Sequence, residues 1–428
     1  MPEGPAGRKR DGSPFWRPWA GLLLSAIVVW SSLSAGLCMA ERRDPKSGKI
    51  RLLNIGADAI PGTASPLVVL FSDPLISQQA VPLYSSIFDM ETTRRFMRVY
   101  MPRSKSTLVS DFDLILISDA TVDNFPSKYF PWMVSAVRED GLGMLTTGGS
   151  AMYGGKGMYP SWDKATIAEV FSVTFEPNDF YDVRALGKPP IPIVPVDRDN
   201  EFVSSLPWKT APPINYLIHR VQARLGAIVL LEAGLPQRYP LLVYWDVGEG
   251  RCTNLIFDWY PWRIEPFQEW SYYIDFATNL IYFSAGIRVP QDLETVHRYR
   301  FLLSTYLDKR TVLLSLLNFV ESFGANTNVV EAAIAKVDAE YAKAQQLYRE
   351  QRWDEGLQLL KQVHSSLSSL EQKAIVLKQR ALFWIYLTEW LAVTAVLLLS
   401  GFVLWTLMIR RRLYGEVRST RLRQADQA

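Results

Sequence analysis

Cysteine and histidine are scarce in this chain of 428 residues, which has only Cys38, Cys252, His219, His297 and His364. Zinc sites need paired cysteines or closely spaced histidines, and the chain has neither, so we predict no metal site and no cofactor. If the N-terminal segment is removed, Cys252 has no partner for an internal disulfide. The fold must then be held by packing alone.

A strong excess of charge of either sign is also missing, since 46 lysines and arginines oppose 43 aspartates and glutamates. Nothing in this balance favours a nucleic-acid partner. The basic residues gather at the two ends of the chain instead. With 48% hydrophobic residues the chain can build a sizeable core, which excludes a disordered protein.

The first 40 residues have the pattern of a signal peptide. Arg8, Lys9 and Arg10 precede an apolar run at 19–30, and small residues follow at 31–40. Cys38 occupies a position where alanine is usual before a cleavage site. We interpret residues 1–40 as a signal peptide or as an uncleaved anchor.

A second apolar segment, at 390–409, contains no charged residue, and as a helix it spans about 30 Å, the thickness of the hydrocarbon core. Trp384, Tyr386 and Trp390 crowd its outer end as an aromatic belt does. Arginines at 410–412 follow it, and the positive-inside rule puts that end in the cytoplasm.

We therefore predict a single-pass protein of the cell membrane. The predicted transmembrane helix covers 382–409, the N-terminal part is extracytoplasmic, and 410–428 form a basic cytoplasmic tail. That tail is a plain stop-transfer anchor or, alternatively, a contact for anionic lipid or a cytoplasmic partner.

Between 47 and 288, short apolar runs alternate with amphipathic stretches, which is typical of an α/β domain with a largely parallel sheet. Strands are predicted at 50–55, 67–71, 96–100, 114–117, 142–146, 227–231, 241–244 and 252–257. Helices are predicted at 82–90 and 131–139, and 248–251 read as a hairpin turn.

The segment 289–381 has helical periodicity, with helices predicted at 292–323 and 329–350. A third begins at Trp353, with Asp354 as N-cap, and no glycine or proline interrupts 357–400, so it continues into the membrane. Part of this segment looks like one tetratricopeptide hairpin, but a single copy favours a helical stalk. Self-association or an envelope protein partner through 292–380 is the corresponding prediction.

Several motifs occur in a characteristic order: FDLILISD at 112–119, GLGMLTTGGS at 141–150, GEGR at 248–251, then Phe257, Asp258 and Trp259, and a Trp-rich helix at 267–282. Together they resemble the class I glutamine amidotransferase-like superfamily, more narrowly its membrane-associated and trehalose-utilisation-type members. The resemblance covers about 49–286 and implies a flavodoxin-like fold.

Catalytic members of that superfamily carry a Gly-x-Cys-x-Gly elbow whose thiol needs a nearby histidine as base. Here Thr147, or Thr146 if the register shifts by one, stands where cysteine is expected, and Asp258 stands where the histidine is expected. The resemblance therefore implies a pseudoenzyme with no catalytic residues. His219 is interpreted as structural or as a surface residue rather than as a base for Ser150.

Open α/β sheets bind ligands at the carboxyl ends of their strands. We expect Gly148 and Gly149 to offer backbone N–H groups at a helix N-terminus, suited to an anion or a carbonyl oxygen. The candidate ligand-binding residues are Asp119, Thr147, Gly148, Gly149, Ser150, Tyr153, Asp258, Trp259, Trp262 and Arg263. The alternative is that the two glycines form a simple tight turn and the tryptophans belong to the core.

These predictions lead to a membrane-anchored, non-catalytic module that binds a partner protein or a small polar solute at the cell surface. Two alternatives stay open. One is a hydrolase or sugar-processing enzyme that uses Asp119 and Asp258 as acid and base, and the other is a structural subunit of an envelope complex.

Overall fold

The computed structural model describes residues 42–57, 66–83, 88–185, 187–259, 267, 269–323 and 326–425. The chain divides into two compact units, Met1–Leu293 and Glu294–Ala428. The predicted signal segment and the candidate site residues Trp262 and Arg263 lie outside the described residues.

The described part of the first unit contains ten strands. They are β1 (Ile50–Gly56), β2 (Ile76–Pro82), β3 (Leu114–Ser118), β4 (Gly143–Thr147), β5 (Val173–Asp182), β6 (Ile193–Pro195), β7 (Leu217–Ala223), β8 (Ile228–Ala233), β9 (Pro240–Val247) and β10 (Gly250–Leu255). Eight of them form the main sheet, in the order β2-β1-β3-β4-β10-β9-β8-β6, and β5 and β7 form a separate pair.

The five strands at one end of the main sheet, from β2 to β10, are parallel. Their order corresponds to 2-1-3-4-5, one of the common orders of doubly wound sheets. Strands β9, β8 and β6 extend the sheet with antiparallel pairing. The prediction of an α/β domain with a largely parallel sheet is confirmed.

Six helices of the first unit are described: α1 (Pro66–Ser72), α2 (Met90–Tyr100), α3 (Lys105–Asp111), α4 (Tyr129–Arg138), α5 (Glu201–Ser204) and α6 (Tyr273–Ser284). All residues of β3 and β4 are buried. In a parallel sheet, helices cover both faces, which explains why β3 begins with the continuous apolar run LILI rather than with an alternating pattern. Helix α4 packs against β10 and α3, and α6 packs against β4, β10 and α1.

Three sequence predictions are wrong. Residues 67–71 and 96–100, predicted as strands, lie in helices α1 and α2. A short apolar run has no periodicity that separates a strand from a buried helical turn. The helix predicted at 82–90 is wrong at both of its ends, because Pro82 is the last residue of β2 and α2 begins only at Met90. Asp89 caps α2, since its side chain accepts a hydrogen bond from the Thr92 N–H at 2.7 Å.

The described part of the second unit is helical: α7 (Leu293–Glu321), α8 (Asn328–Arg349) and α9 (Trp353–Ala425). Stacked rings of Tyr306 and Tyr341, 3.9 Å apart between centroids, join α7 to α8. The apolar positions predicted along the first part of α9, Leu357, Leu360, Val363, Leu367 and Leu370, are all buried.

Helix α9 continues well beyond this packed part. Its segment Trp353–Tyr414 contains a stretch long and apolar enough, by length and composition, to cross a membrane. Large apolar side chains from Phe383 to Leu413 are exposed along it. The structure thus has a long C-terminal apolar helix where the sequence predicts one, and Asp354 lies within its first turn rather than before it.

Candidate functional site

The carboxyl ends of the parallel strands place four residues side by side. Gly56 pairs with Ser118, Ser118 with Thr147, and Thr147 with Leu255 in the register of β1, β3, β4 and β10. The loops that leave this row carry most of the candidate residues. We refer to residues 146–150 as the elbow.

Asp119 directly follows β3 and is turned toward the elbow. Its carboxylate oxygen Oδ1 accepts a hydrogen bond from the Ala151 N–H at 2.7 Å, and the residue is 2% exposed. Its backbone φ is 39°, in the left-handed region that few residues other than glycine adopt. Aspartate tolerates this conformation better than most residues, so Asp119 acts as a cap that ties the loop after β3 to the loop after β4.

The two elbow glycines are required by close backbone approaches. A Cβ on Gly148 would lie 2.3 Å from the carbonyl oxygen of Ile256, and one on Gly149 would lie 2.2 Å from the Asp119 carboxyl carbon. Gly149 also has φ of 147°, which strains any L side chain. Both positions therefore exclude a larger residue for structural reasons alone.

The structure differs from the expected arrangement at these glycines in two respects. Residues 148–157 form turns and bends, so no helix begins at the elbow; glycines at 154, 155 and 157 disfavour one. The Gly148 N–H is also not free, because it donates to the carbonyl oxygens of Leu255 and Phe257 at 2.8 and 3.1 Å. The Asp119 carboxylate, which accepts from Ala151, already supplies an anion beside this turn.

The two threonines of the elbow face opposite sides of the sheet, as successive strand residues do. Thr147, fully buried, donates its hydroxyl hydrogen to Ser118 Oγ at 2.7 Å. Thr146 Oγ1 accepts from the Asn254 amide and lies 2.9 Å from the Tyr153 hydroxyl. In the part of the chain that the structure describes, neither hydroxyl has a histidine as its hydrogen-bond partner.

Tyr153 lies in the core rather than in an open pocket. Its φ is 51°, and its hydroxyl donates to the Leu255 carbonyl oxygen at 2.9 Å. Burial raises the pKa of Tyr153, so the phenol stays protonated. The ring packs edge to face against Phe171, Phe175 and His219.

His219 is buried beside the elbow, although it is not among the candidate ligand-binding residues of the sequence analysis. Its Nε2 lies 2.7 Å from the Gly149 carbonyl oxygen, although 70 residues separate the two in sequence. A carbonyl only accepts, so Nε2 carries the hydrogen and Nδ1 is the unprotonated nitrogen. Nδ1 has no hydrogen-bond partner among the described residues, and burial lowers the pKa of His219 to about 4.

Strand pairing brings His219 to this place. In the β5–β7 pair it lies opposite Phe180, and its neighbour Ile218 bridges to Phe257 just after β10. Leu217, Ile218, His219 and Val221 of β7 are all buried. The position of His219 midway between Leu217 and Val221, which share its face of the strand, is the signal in the sequence that could have placed the histidine inward. Of the two interpretations of His219, the structural one agrees with its burial, and the surface one is wrong.

Asp258 and Trp259 follow Phe257 at the same edge of the sheet. Both are buried, at 1% and 0% exposure. The Trp259 carbonyl oxygen accepts from the Tyr273 hydroxyl at 3.1 Å, which ties this loop to α6. The indole of Trp259 thus belongs to the core, as the alternative interpretation of the tryptophans expects.

Ser150 is the one candidate in the described set that is not fully buried. Its hydroxyl lies 2.8 Å from the hydroxyl of Tyr216. Two cations lie near the Tyr216 ring: Lys156 Nζ at 5.9 Å and Arg184 Cζ at 5.7 Å from its centroid. Lys156 also pairs with the Asp182 carboxylate. We call these five residues the rim cluster; sequence reasoning missed four of them.

The charge state of the rim cluster is fixed by the Lys156–Asp182 pair. Burial opposes ionisation of Asp182, but hydrogen bonds from the Ala185 N–H and from Lys156 outweigh it and lower its pKa. The carboxylate is therefore ionised at neutral pH. Among the described residues no group of three or more histidine, cysteine, aspartate or glutamate side chains is placed to hold a metal ion.

No protein-family model and no curated protein matches the chain. Solved structures that match include two cytoplasmic proteins from Salmonella typhimurium, STM3548 at 20% identity and STM1381 at 19%. Each match covers 55% of this chain and 99% of the other, with a TM-score of 0.44. A β-galactosidase from Rahnella sp. R3 matches at 11% identity over 56% of this chain and 32% of the enzyme, with a TM-score of 0.29.

At these identities and TM-scores the similarities carry no conclusion about activity. The resemblance to the amidotransferase-like superfamily therefore stays a prediction, and so do the two alternative functions.

Proposed function

We propose that the protein is a membrane-anchored, non-catalytic module with an amidotransferase-like, flavodoxin-like domain outside the cell. Helix α9 spans the bilayer between 382 and 409, and the basic residues that follow it lie in the cytoplasm. The domain works by binding, at the rim cluster, a small polar solute or a segment of a partner protein.

The observation that carries this proposal is that the polar side chains in and beside the elbow form hydrogen bonds with other groups of the protein. Asp119 accepts from the Ala151 N–H, Thr147 donates to Ser118, and His219 donates to the Gly149 carbonyl oxygen. A nucleophilic mechanism needs a hydroxyl or thiol hydrogen-bonded to a base. Here the Thr147 hydroxyl bonds to Ser118, and the Asp119 carboxylate and the His219 imidazole bond to backbone groups of residues 149–151.

Burial and internal hydrogen bonding also weigh against an acid/base pair made of Asp119 and Asp258. A general acid must reach the substrate oxygen, whereas both carboxyls are buried and Asp119 is engaged by a backbone N–H. This alternative gains no support from the geometry.

The rim cluster supports the binding part of the proposal. It combines two hydroxyls, of Ser150 and Tyr216, with the cations of Lys156 and Arg184 around one aromatic ring. With Asp182 ionised and paired to Lys156, the cluster carries one net positive charge. Such a set suits a ligand with a carboxylate or phosphate and a polar body, because cations and hydroxyls bind the oxygens and the ring covers an apolar face.

A thermal-unfolding screen of the full chain in detergent tests the binding proposal, with sugars, amino acids, nucleotides and inorganic anions as ligands. A ligand at 100 times its dissociation constant stabilises the folded state by about 2.7 kcal/mol. We expect Tyr216→Phe and Lys156→Gln to abolish the shift, and Lys188→Gln to leave it, since Lys188 contacts the ring of Tyr181 instead. Turnover of glutamine or of a glycoside by the wild-type chain, lost in Asp119→Asn, would overturn the non-catalytic assignment.

A further inference from the structure

A cavity of about 530 Å³ lies in the second unit where the packed part of α9 gives way to its exposed apolar part. Residues on α9 and beside the α7–α8 turn line it: Phe323, Asn326, Leu377, Arg380, Ala381, Trp384, Ile385 and Thr388. On α9, Arg380, Trp384 and Thr388 are spaced four apart, so they lie on one face of the helix. The cavity thus runs along α9 on the side next to the α7–α8 turn.

The chemistry of the lining differs along its length. Arg380 is a cation, and no carboxylate is among the lining residues. Trp384, Ile385 and Ala381 supply an apolar wall, with polar groups from Asn326 and Thr388. Among the described residues, Arg380 has no carboxylate partner, whereas Arg310 and Arg352 of the same unit each form ion pairs.

The position of the cavity beside the exposed apolar part of α9 restricts the class of ligand that it can bind. After the isolated exposed Val376, the dense run of exposed apolar side chains on α9 begins at Phe383. Trp384, Tyr386 and Trp390 are the aromatic residues that in a spanning helix lie at headgroup level. Arg380 precedes Trp384 by one turn, about 6 Å along the axis. In a spanning helix, Arg380 therefore lies at the level of the lipid phosphates, and the apolar wall at Trp384 and Ile385 lies at the level of the upper acyl chains.

We propose that this cavity binds one phospholipid, with its phosphate on Arg380 and its glycerol and upper acyl chain along Trp384 and Ile385. The inference rests on the proposed membrane-spanning role of α9. Charge complementarity at Arg380 and continuity with the lipid-facing surface both favour a phospholipid over a protein segment. The bound lipid fastens the α7–α8 turn to α9 at the membrane surface.

The test uses the full chain, stripped of lipid in detergent, and native mass spectrometry to count bound molecules. Three probes separate the parts of the ligand: phosphatidylglycerol, diacylglycerol with the same acyl chains but no phosphate, and inorganic phosphate. We expect one phosphatidylglycerol to bind, diacylglycerol to bind about tenfold more weakly, and inorganic phosphate not to compete at matched concentration.

Arg380→Ala should weaken phosphatidylglycerol binding about tenfold, because it removes the charged donor. Lys373→Ala is the matched control, since it removes an exposed cation of the same helix that does not line the cavity. Equal binding by the two variants would overturn the proposal. Competition by inorganic phosphate as strong as that by the lipid would overturn the lipid as the source of the phosphate.

Extraction of membranes with alkaline carbonate separates failure of this inference from failure of the proposed anchor. If wild-type chain stays in the membrane pellet but retains no lipid, only the cavity assignment is overturned. If the chain is released into the supernatant, α9 does not span the bilayer and both proposals are overturned.

Discussion

The carboxylate of Asp119 occupies the space into which a Cβ atom on Gly149 would project, 2.2 Å from the Asp119 carboxyl carbon. Both residues have φ in the left-handed range, at 39° and 147°. The loops after β3 and β4 can therefore approach closely because the Asp119 side chain fits into space that is open only while residue 149 is glycine. This contact explains why the elbow holds its shape without a following helix.

Gly149→Ala should lower the free energy of unfolding by about 2–4 kcal/mol, since the new methyl group meets a buried carboxylate and the backbone is strained. Gly157→Ala is the matched control, with φ of 64° but open space around the added methyl group, and should cost about 1 kcal/mol. Urea unfolding of both variants measures the difference. Adding Asp119→Gly to Gly149→Ala should recover part of the loss; equal losses for the two alanine variants would contradict the steric account.

Because the imidazole of His219 is buried, we predict that the free energy of unfolding depends on pH in the acid range. Burial lowers the pKa of His219 from 6.5 to about 4 in the folded state. Between these pH values the unfolded chain binds more protons than the folded chain, so the free energy of unfolding falls as pH falls from 6.5 to 4, by about 3 kcal/mol. Above pH 6.5 this contribution is fully present.

Comparison of His219→Gln with wild type isolates this effect, because glutamine retains an N–H for the Gly149 carbonyl oxygen but does not titrate in this range. Burial also lowers the pKa of His364, but this residue is present in both proteins, so its contribution cancels in the comparison. The difference between the two proteins should therefore narrow or reverse toward pH 4. Parallel stability curves for wild type and variant would rule out His219 as the source.

The sequence predicts the centre of the sheet well and its periphery poorly. Strands β3 and β4 are fully buried, and each has an apolar run, LILI at 114–117 and ML at 144–145, between turn signals, so they could be predicted. Strand β2 reads ISQQAVP and lies at the edge, where burial on one face leaves little apolar pattern. The run PLVVLFS of α1 has strand composition, and a helix there is explained by its packing against α6 and β2 rather than by its local sequence.

At the candidate site, the strand ends correctly predict that Asp119, Thr147 and Gly148 share one edge. The direction in which each polar group bonds does not follow from local sequence. The His219–Gly149 and Ser150–Tyr216 contacts join residues 70 and 66 positions apart. They depend on how β7 pairs with β5 and meets the chain after β10, a long-range arrangement that no spacing in the sequence encodes.

Gly356 near the start of α9 allows a close contact within the second unit. A Cβ there would lie 2.1 Å from the hydroxyl oxygen of Tyr299, which donates to the Ala344 carbonyl oxygen at 2.6 Å. Gly356→Ala should therefore destabilise the helical unit by about 2–3 kcal/mol, despite the better helix propensity of alanine. Gly401→Ala, on the same helix with nothing within 4 Å, is the control and should change stability by less than about 1 kcal/mol. Similar thermal shifts for both variants would contradict this packing.

Thiol labelling distinguishes a closed elbow from an open catalytic one. Cys252 is fully buried and burial raises the pKa of its thiol, so in a Cys38→Ser background the folded chain should react little with maleimide. Ser150→Cys places a thiol at the rim cluster and should restore labelling, whereas Thr147→Cys places one in the buried row beside Ser118 and should react at least about tenfold more slowly. Mass spectrometry after timed quenching gives both rates, and labelling in denaturant gives the common upper limit. A fast-reacting thiol at position 147 would mean that the elbow opens to solvent, and the non-catalytic assignment would then lose its structural basis.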